Sequence, residues 1–159
     1  MSDSGIYVHV DVLDNFSKDL FDKREVRKGM REAGALVRTA ARNLVDTASR
    51  FSEYPHKATG TLRDSIRAKV SRPGFMVVIR PELTAKMRAK SGEFYPAFLH
   101  YGVKNSSLKG AERRRARRRG KLSGSWRIAP RANYMEDALQ DRKQRVKAVL
   151  VQALRDALR

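Results

Sequence analysis

Six arginines fall within seven positions, Arg113, Arg114, Arg115, Arg117, Arg118 and Arg119, and Lys104, Lys109 and Lys121 flank them. A guanidinium presents its donors in a planar fork that matches phosphate oxygens, so the chemistry on offer is capture of a polyanion. Residues 104–121 hold nine Lys or Arg against one Glu, and so carry eight of the formal net charge of +18. The stretch contains no aromatic side chain, which argues against base stacking within it. Trp126, a few residues on, is expected to pack in the core. A helix over these positions would crowd like charges at i, i+3 and i, i+4, so the expectation is a flexible basic loop over 104–124. Reading a base sequence needs a rigid element in a groove. A mobile arginine loop instead makes salt-sensitive contact with any phosphate backbone.

Catalytic chemistry finds little support. His9, His56 and His100 stand apart from one another at no metal-ligand spacing. The chain has no cysteine, which excludes disulfides, thiolate zinc sites and cysteine nucleophiles. Gly102, Gly110, Gly120 and Gly124 do not match a phosphate-loop pattern, and nothing resembles a nucleophile elbow. Asp46, Glu53, Asp64, Glu82 and Glu93 are scattered, with no compact acidic pair beside a lysine to suggest a nuclease. The expectation is a protein that is not an enzyme, with no catalytic, cofactor-binding or metal-binding residues.

A chain of 159 residues, 41% hydrophobic and 33% charged, fits one domain with a basic surface. No apolar run approaches the roughly 20 residues of a membrane span. The opening MSDSGIYVHV lacks the basic start and apolar stretch of a signal peptide. With the absence of cysteine, these predict a protein of a cytoplasm or of a particle assembled there, with no membrane partner.

The elements that must position the basic stretch follow from periodicity. Ile6, Val8, Val10 and Val12 alternate with Tyr7, His9 and Asp11, which predicts a half-buried strand over residues 5–12. Asp14-Asn15 predicts a turn, and Phe16 with Leu20 a short helical turn. Asp22 with Glu25 resembles a capping box. Val26, Met30, Ala33, Val37, Ala41, Leu44 and Ala48 then mark a long amphipathic helix to about Arg50. Thr61 with Asp64 can cap a single helical turn. Ile66, Ala68 and Val70 mark a second strand, Arg72-Pro73-Gly74 a turn, and Phe75 to Ile79 a third strand paired as an antiparallel hairpin. Residues 82–93 read either as a short helix or as an excursion. Pro96 sits in the first turn of a short helix that Gly102 ends. Trp126 and Ile128 read as a strand returning to the sheet, stopped by Pro130. Asn133 and Glu136 open a final helix on Met135, Leu139, Val146, Leu150, Leu154 and Leu158. The predicted fold class is α+β, a small antiparallel sheet between two long helices.

Three short boxes follow the first helix in order: Thr59-Gly60-x-Leu62-x-x-Ser65-Ile66, then Tyr95-x-x-x-Leu99-x-Tyr101-Gly102, then Pro130-Arg131 with Tyr134 and Ala138-Leu139. Their order and spacing over about residues 20–155 resemble the tail-completion (neck, head–tail joining) proteins of long-tailed bacteriophages. Three positions depart from that family's pattern: Ala58 stands where a proline is usual, His100 where a glutamate is, and Val103 where a threonine is. The resemblance implies a structural virion protein without catalysis, forming a homo-oligomeric ring, often six-fold, between head connector and tail tube. Its implied partners are further copies of itself, the adjacent connector and tail-tube proteins, and genomic DNA in passage. The resemblance also implies a location in the virion neck, after assembly in the host cytoplasm. The basic loop would then face DNA in the lumen or a neighbouring ring. A second reading is a sequence-independent nucleic-acid-binding module, which accounts for the charge but not for the order of the boxes.

Overall fold

A long amphipathic helix, α1 (Lys23–Thr47), organises this α+β domain. The computed structural model describes residues 6–9, 21–49, 51–56, 58–91, 94–104, 110–118 and 126–158. Asp22 caps α1 by accepting the Arg24 amide at 2.8 Å, and Glu25 pairs with Lys28 one turn on at 3.2 Å. Val26, Met30, Ala33, Val37, Ala41 and Val45 recur at three- and four-residue spacing, and all are buried. The closing helix, α6 (Tyr134–Ala157), is capped by Asn133, whose side-chain oxygen accepts the Met135 and Glu136 amides. Glu136 and Asp137 lie in its first turn, where carboxylates complement the helix dipole.

These two helices run antiparallel in direct contact. The Asp22 amide donates to the Ala157 carbonyl at 2.8 Å, and Phe21 bridges Leu158, so the start of α1 meets the end of α6. Gly29 packs against Ala153 so closely that a Cβ on Gly29 would collide with the Ala153 methyl. On the other side of α1, Gly34 faces Val77 and Ala68; a Cβ there would stand 2.7 Å from a Val77 methyl. The expected layering, with the sheet between the helices, is therefore corrected. The first helix is the middle layer, because its small residues permit close approach on two faces.

Among the described residues the sheet has three strands, β1 (Ile6–His9), β2 (Ile66–Val70) and β3 (Met76–Pro81), in the order β1-β3-β2, all antiparallel. Its register aligns Ile6 and Ala68 with Ile79, and Val8 and Val70 with Val77. Ile79 and Val77 are each 1% exposed, so this row faces α1. The hairpin between β2 and β3 turns at 71–75, closed by bonds from Ser71 to Met76 and from Gly74 to Ser71. Residues 10–20, where the turn at Asp14-Asn15, the helical turn at Phe16 and Leu20, and the rest of the first strand were expected, lie outside the described residues.

The remaining elements are short. Between Gly60 and the sheet, α2 (Thr61–Ser65) begins on Gly60, whose φ is 73°. Thr61 is thus inside the helix and does not cap it, and Asp64 turns instead to Arg63 at 2.9 Å. The ambiguous stretch after β3 contains α3 (Ala85–Ser91), started by Thr84 accepting the Met87 amide and anchored by buried Met87. Next comes α4 (Tyr95–Tyr101), with Pro96 in its first turn as expected.

Two further expectations are corrected. The strand at Trp126 does not rejoin the main sheet: β4 (Val103–Lys104) and β5 (Trp126–Ile128) pair with each other as a separate ribbon. Trp126 is 37% exposed there, not in the core. Within the segment expected as a loop over 104–124, Gly110–Arg118 forms a helix, α5. Its four described arginine side chains are exposed, so water and salt screen the repulsion, while arginine and alanine both have high helix propensity.

The contact between Gly29 and Ala153 yields a direct test. Replacing Gly29 with Val inserts a branched side chain where no space exists, and should lower unfolding free energy by about 2 kcal/mol in urea titrations. Unchanged stability would mean that α1 and α6 are not held in this close packing.

Candidate functional site

The three sequence boxes, which begin at Thr59, Tyr95 and Pro130, meet in one region of the domain. Leu62, 4% exposed, and Leu99 form a wall with a hollow on either side. The larger hollow, about 500 Å³, is also lined by Ile79, Pro96, Tyr101 and Tyr134. The smaller, about 180 Å³, is lined by Thr59, Gly60, Tyr95 and Arg131. Thr59 and Thr61 share a hydroxyl hydrogen bond of 2.8 Å across the turn at Gly60. Ser65 and Ile66 are wholly buried beneath this wall, the Ser65 hydroxyl donating to the Leu62 carbonyl at 2.6 Å.

Gly102 joins the second box to the third. With φ 71° and ψ 171° it occupies a backbone region that is essentially restricted to glycine. A Cβ there would also stand 2.8–2.9 Å from Trp126, the Ile128 carbonyl and Pro130. Next to it the Arg131 amide donates to the Leu99 carbonyl at 2.8 Å. The Arg131 guanidinium donates to the Ser52 carbonyl at 3.2 Å, and the Ala132 amide to the Glu53 carbonyl at 3.0 Å. The Tyr54 hydroxyl reaches the Asp137 carboxylate at 2.9 Å. Residues 52–54 are thus stitched to the start of α6, a set of contacts that the sequence analysis did not anticipate.

Burial pushes the Tyr95 phenol up to about 12, opposed by a backbone hydrogen bond with Leu62. Burial raises Tyr134 further, and nearby Tyr95 adds to that shift. Both phenols are therefore neutral packing groups at physiological pH. Leu83, Phe94 and Tyr101 leave apolar surface exposed at the rim of the larger hollow. His100 lines the same hollow, edge-on to Tyr101 with ring centres 4.7 Å apart, and His56 lines the smaller one.

Of the carboxylates singled out in the sequence, Glu93 lies outside the described residues. Asp46 and Asp64 do come together, but around the Arg63 guanidinium, at 3.4 and 2.9 Å. The hydrogen bond from Arg63 holds Asp64 below its ordinary value, which suits an ion-pair partner and not a general base. Among the described residues no group of three His, Asp or Glu side chains could hold a metal ion. Among the described residues, no helix is long and apolar enough to cross a membrane.

The basic segment leaves the domain at a narrow base. Val103 pairs with Ile128 and Lys104 with Trp126, so β4 and β5 pinch together the two ends of the excursion. The Lys104 ammonium lies 5.6 Å from the Trp126 ring centre, a cation–π contact that reinforces the base. Beyond it, Arg114, Arg115, Arg117 and Arg118 are exposed on α5. Arg114, Arg117 and Arg118 share one face by their i, i+3, i+4 spacing. Arg113 lies within the same helix, whereas Lys109, Arg119 and Lys121 are outside the described residues. The structure thus brings the boxes together around Leu62 and Leu99 and sets the arginines on a separate projection.

No family model, curated protein or solved structure matches this chain.

Two tests address this region. Gly102→Ala should cost about 2 kcal/mol of stability, since the new Cβ meets both a forbidden backbone conformation and three close neighbours; a change within about 0.5 kcal/mol in denaturant titration would contradict the joint described here. The phenols make stability fall at alkaline pH. Between the ordinary tyrosine value of 10.0 and about 12, the unfolded chain loses a Tyr95 proton that the folded chain keeps, so folding weakens as pH rises through that window. Tyr95→Phe should flatten this alkaline slope in thermal melts between about pH 9 and 12.

Proposed function

We propose that this chain is a structural subunit of the neck of a long-tailed bacteriophage, forming a homo-oligomeric ring between head connector and tail tube through which DNA passes. The observation that carries the reading is the meeting of the three boxes. Residues whose order resembles that family's pattern prove to be neighbours in space, in one interlocked joint around Leu62, Leu99 and Gly102. Boxes scattered by chance over the chain would have no reason to share a joint. The joint is built of buried leucines, a glycine turn and neutral phenols, which suits a structural role. A ring further requires a heterologous interface, in which one patch of the subunit meets a different patch of the next.

In this reading the projection is the part that meets DNA. A pinched ribbon carrying exposed arginines gives salt-dependent contact with phosphates without reading bases, as passage of an entire genome demands. The second reading, a sequence-independent nucleic-acid-binding module, draws on the helical form of α5, which sets Arg114, Arg117 and Arg118 along one side of a helix about 14 Å long.

One comparison separates them. Light scattering coupled to size exclusion, followed by electron microscopy, should find closed rings at high salt without nucleic acid, and these should persist when Arg113, Arg114, Arg115, Arg117, Arg118 and Arg119 are all replaced by serine. The same variant should bind duplex DNA with a shallower salt slope, by about 0.9 for each phosphate that is no longer neutralised. A monomer that oligomerises only on DNA would replace the ring reading with the second one. Loss of rings with DNA binding unchanged would make the projection a subunit interface.

A further inference from the structure

A second concentration of arginines lies on the body of the domain, away from α5. Arg38 and Arg42 stand one helical turn apart on α1. The Arg42 guanidinium crosses to the edge strand β2 and donates to the Ile66 carbonyl at 2.9 Å. The next residue, Arg67, is exposed on β2 and stands opposite Arg80 in the β2–β3 ladder. Arg63 approaches from α2, three residues before Ile66. Arg67 alternates with Ile66 and Ala68 and so leaves β2 on the side away from α1, but its charge, with those of Arg38 and Arg63, still acts on Arg42 at the strand edge.

The negative charge available there is already engaged. Asp64 and Asp46 both bind Arg63, at 2.9 and 3.4 Å. Arg38 and Arg67 make no ion pair among the described residues. The Nε atoms of Arg27, Arg38 and Arg42 are shielded from solvent without a hydrogen-bond partner among the described residues, and of these Arg38 and Arg42 stand one turn apart. Buried polar groups are almost always satisfied in folded proteins, so two shielded guanidinium donors beside one another call for an acceptor. The cost of this crowding is visible in Arg42, lowered from its ordinary value by burial first and then by the charges of Arg38 and Arg67, with Asp64 opposing.

We propose that Arg38, Arg42 and Arg67 form a binding site for a phosphate group, where α1 meets the edge of β2 that has no strand partner among the described residues. A phosphate fits because it offers several acceptor oxygens to guanidinium forks arriving from different directions. It would also add negative charge to the partial compensation that Asp64 gives Arg42. The same chemistry is presented by free phosphate and by the phosphodiester backbone of nucleic acid. The site is independent of α5 and of the ring reading, since it rests on α1 and β2 alone.

The experiment starts from the full chain with the six arginines of the 113–119 run replaced by serine, so that binding by the projection is removed. Into this background go Arg38→Gln and Arg67→Gln, which leave the Arg42 bond to Ile66 in place. A parallel variant carries Arg38→Lys and Arg67→Lys, and circular dichroism confirms that each is folded. The probes are inorganic phosphate, read by thermal melting, and a short labelled duplex DNA, read by fluorescence anisotropy. The site predicts that millimolar phosphate raises the melting temperature of the parent and that the Gln pair abolishes the rise, with partial retention in the Lys pair. If the natural source is nucleic acid, the parent also binds the duplex, and the Gln pair weakens that binding by about tenfold or more. Protection by phosphate without duplex binding upholds the site and assigns it to the free anion. If neither probe acts on the parent, or the Gln pair responds like the parent, the proposal is overturned and Arg38 and Arg42 only cover the core with their stems.

Discussion

Every layer of this domain depends on how close α1 can come to its neighbours. Gly29 admits the Ala153 methyl on one side, and Gly34 admits Val77 and Ala68 on the other. Between these contacts Met30, Val37 and Val45 are each 1% exposed, and Ile66, Val77 and Ile79 close the same core from the sheet. Dispersion falls off steeply with separation, so a layer held off by one extra carbon would forfeit contacts along the whole helix. Two glycines in a helix each sacrifice about 1 kcal/mol of propensity. Close packing on two faces is what offsets that loss. It also explains why one helix, and not the sheet, holds the middle position.

From that core outward, order is transmitted by backbone bonds more than by apolar burial. The loop at 52–54 is tied to the start of α6 through the Ser52 and Glu53 carbonyls and the Tyr54 hydroxyl. The Arg131 amide then ties the same region to the end of α4. Arg131 thus links the 52–54 loop, α4 and the approach to α6. The joint formed by the three boxes is the product of these ties, which set Leu62 against Leu99 and leave hollows on either side.

What could be read in advance follows from where a signal is local. The capping of α1 by Asp22, the apolar stripe from Val26 to Ala41, the β2–β3 hairpin around Pro73-Gly74 and the Asn133 cap of α6 each rest on a few neighbouring residues, and each appears in the structure, although beyond Ala41 the buried position is Val45 and not Leu44. Layer order was not legible, because periodicity says which residues are buried but not against what. Trp126 was expected inside on hydrophobicity alone, yet among the described residues β5 has only β4 as a strand partner, and this ribbon leaves the indole partly in water. Helix α5 was not legible because the like-charge spacing argues for a loop, while the helix propensity of arginine and alanine, with exposed and screened charges, favours the helix. In the candidate site, the boxes were visible as patterns, whereas their meeting, and the convergence of Arg38 and Arg42 with Arg67, depend on chain crossings that no spacing encodes.

The ribbon of β4 and β5 has one more implication. By fixing Lys104 beside Trp126, it brings the two ends of the 105–125 excursion together whatever lies between them. The entropy of closing a loop grows only with the logarithm of its length, about 0.6 kcal/mol for each doubling. The core beneath is therefore insulated from changes in the projection. Residues can be added to or removed from the arginine segment with little consequence for folding, so its reach and charge are free to be tuned to a partner while the body of the protein stays as it is.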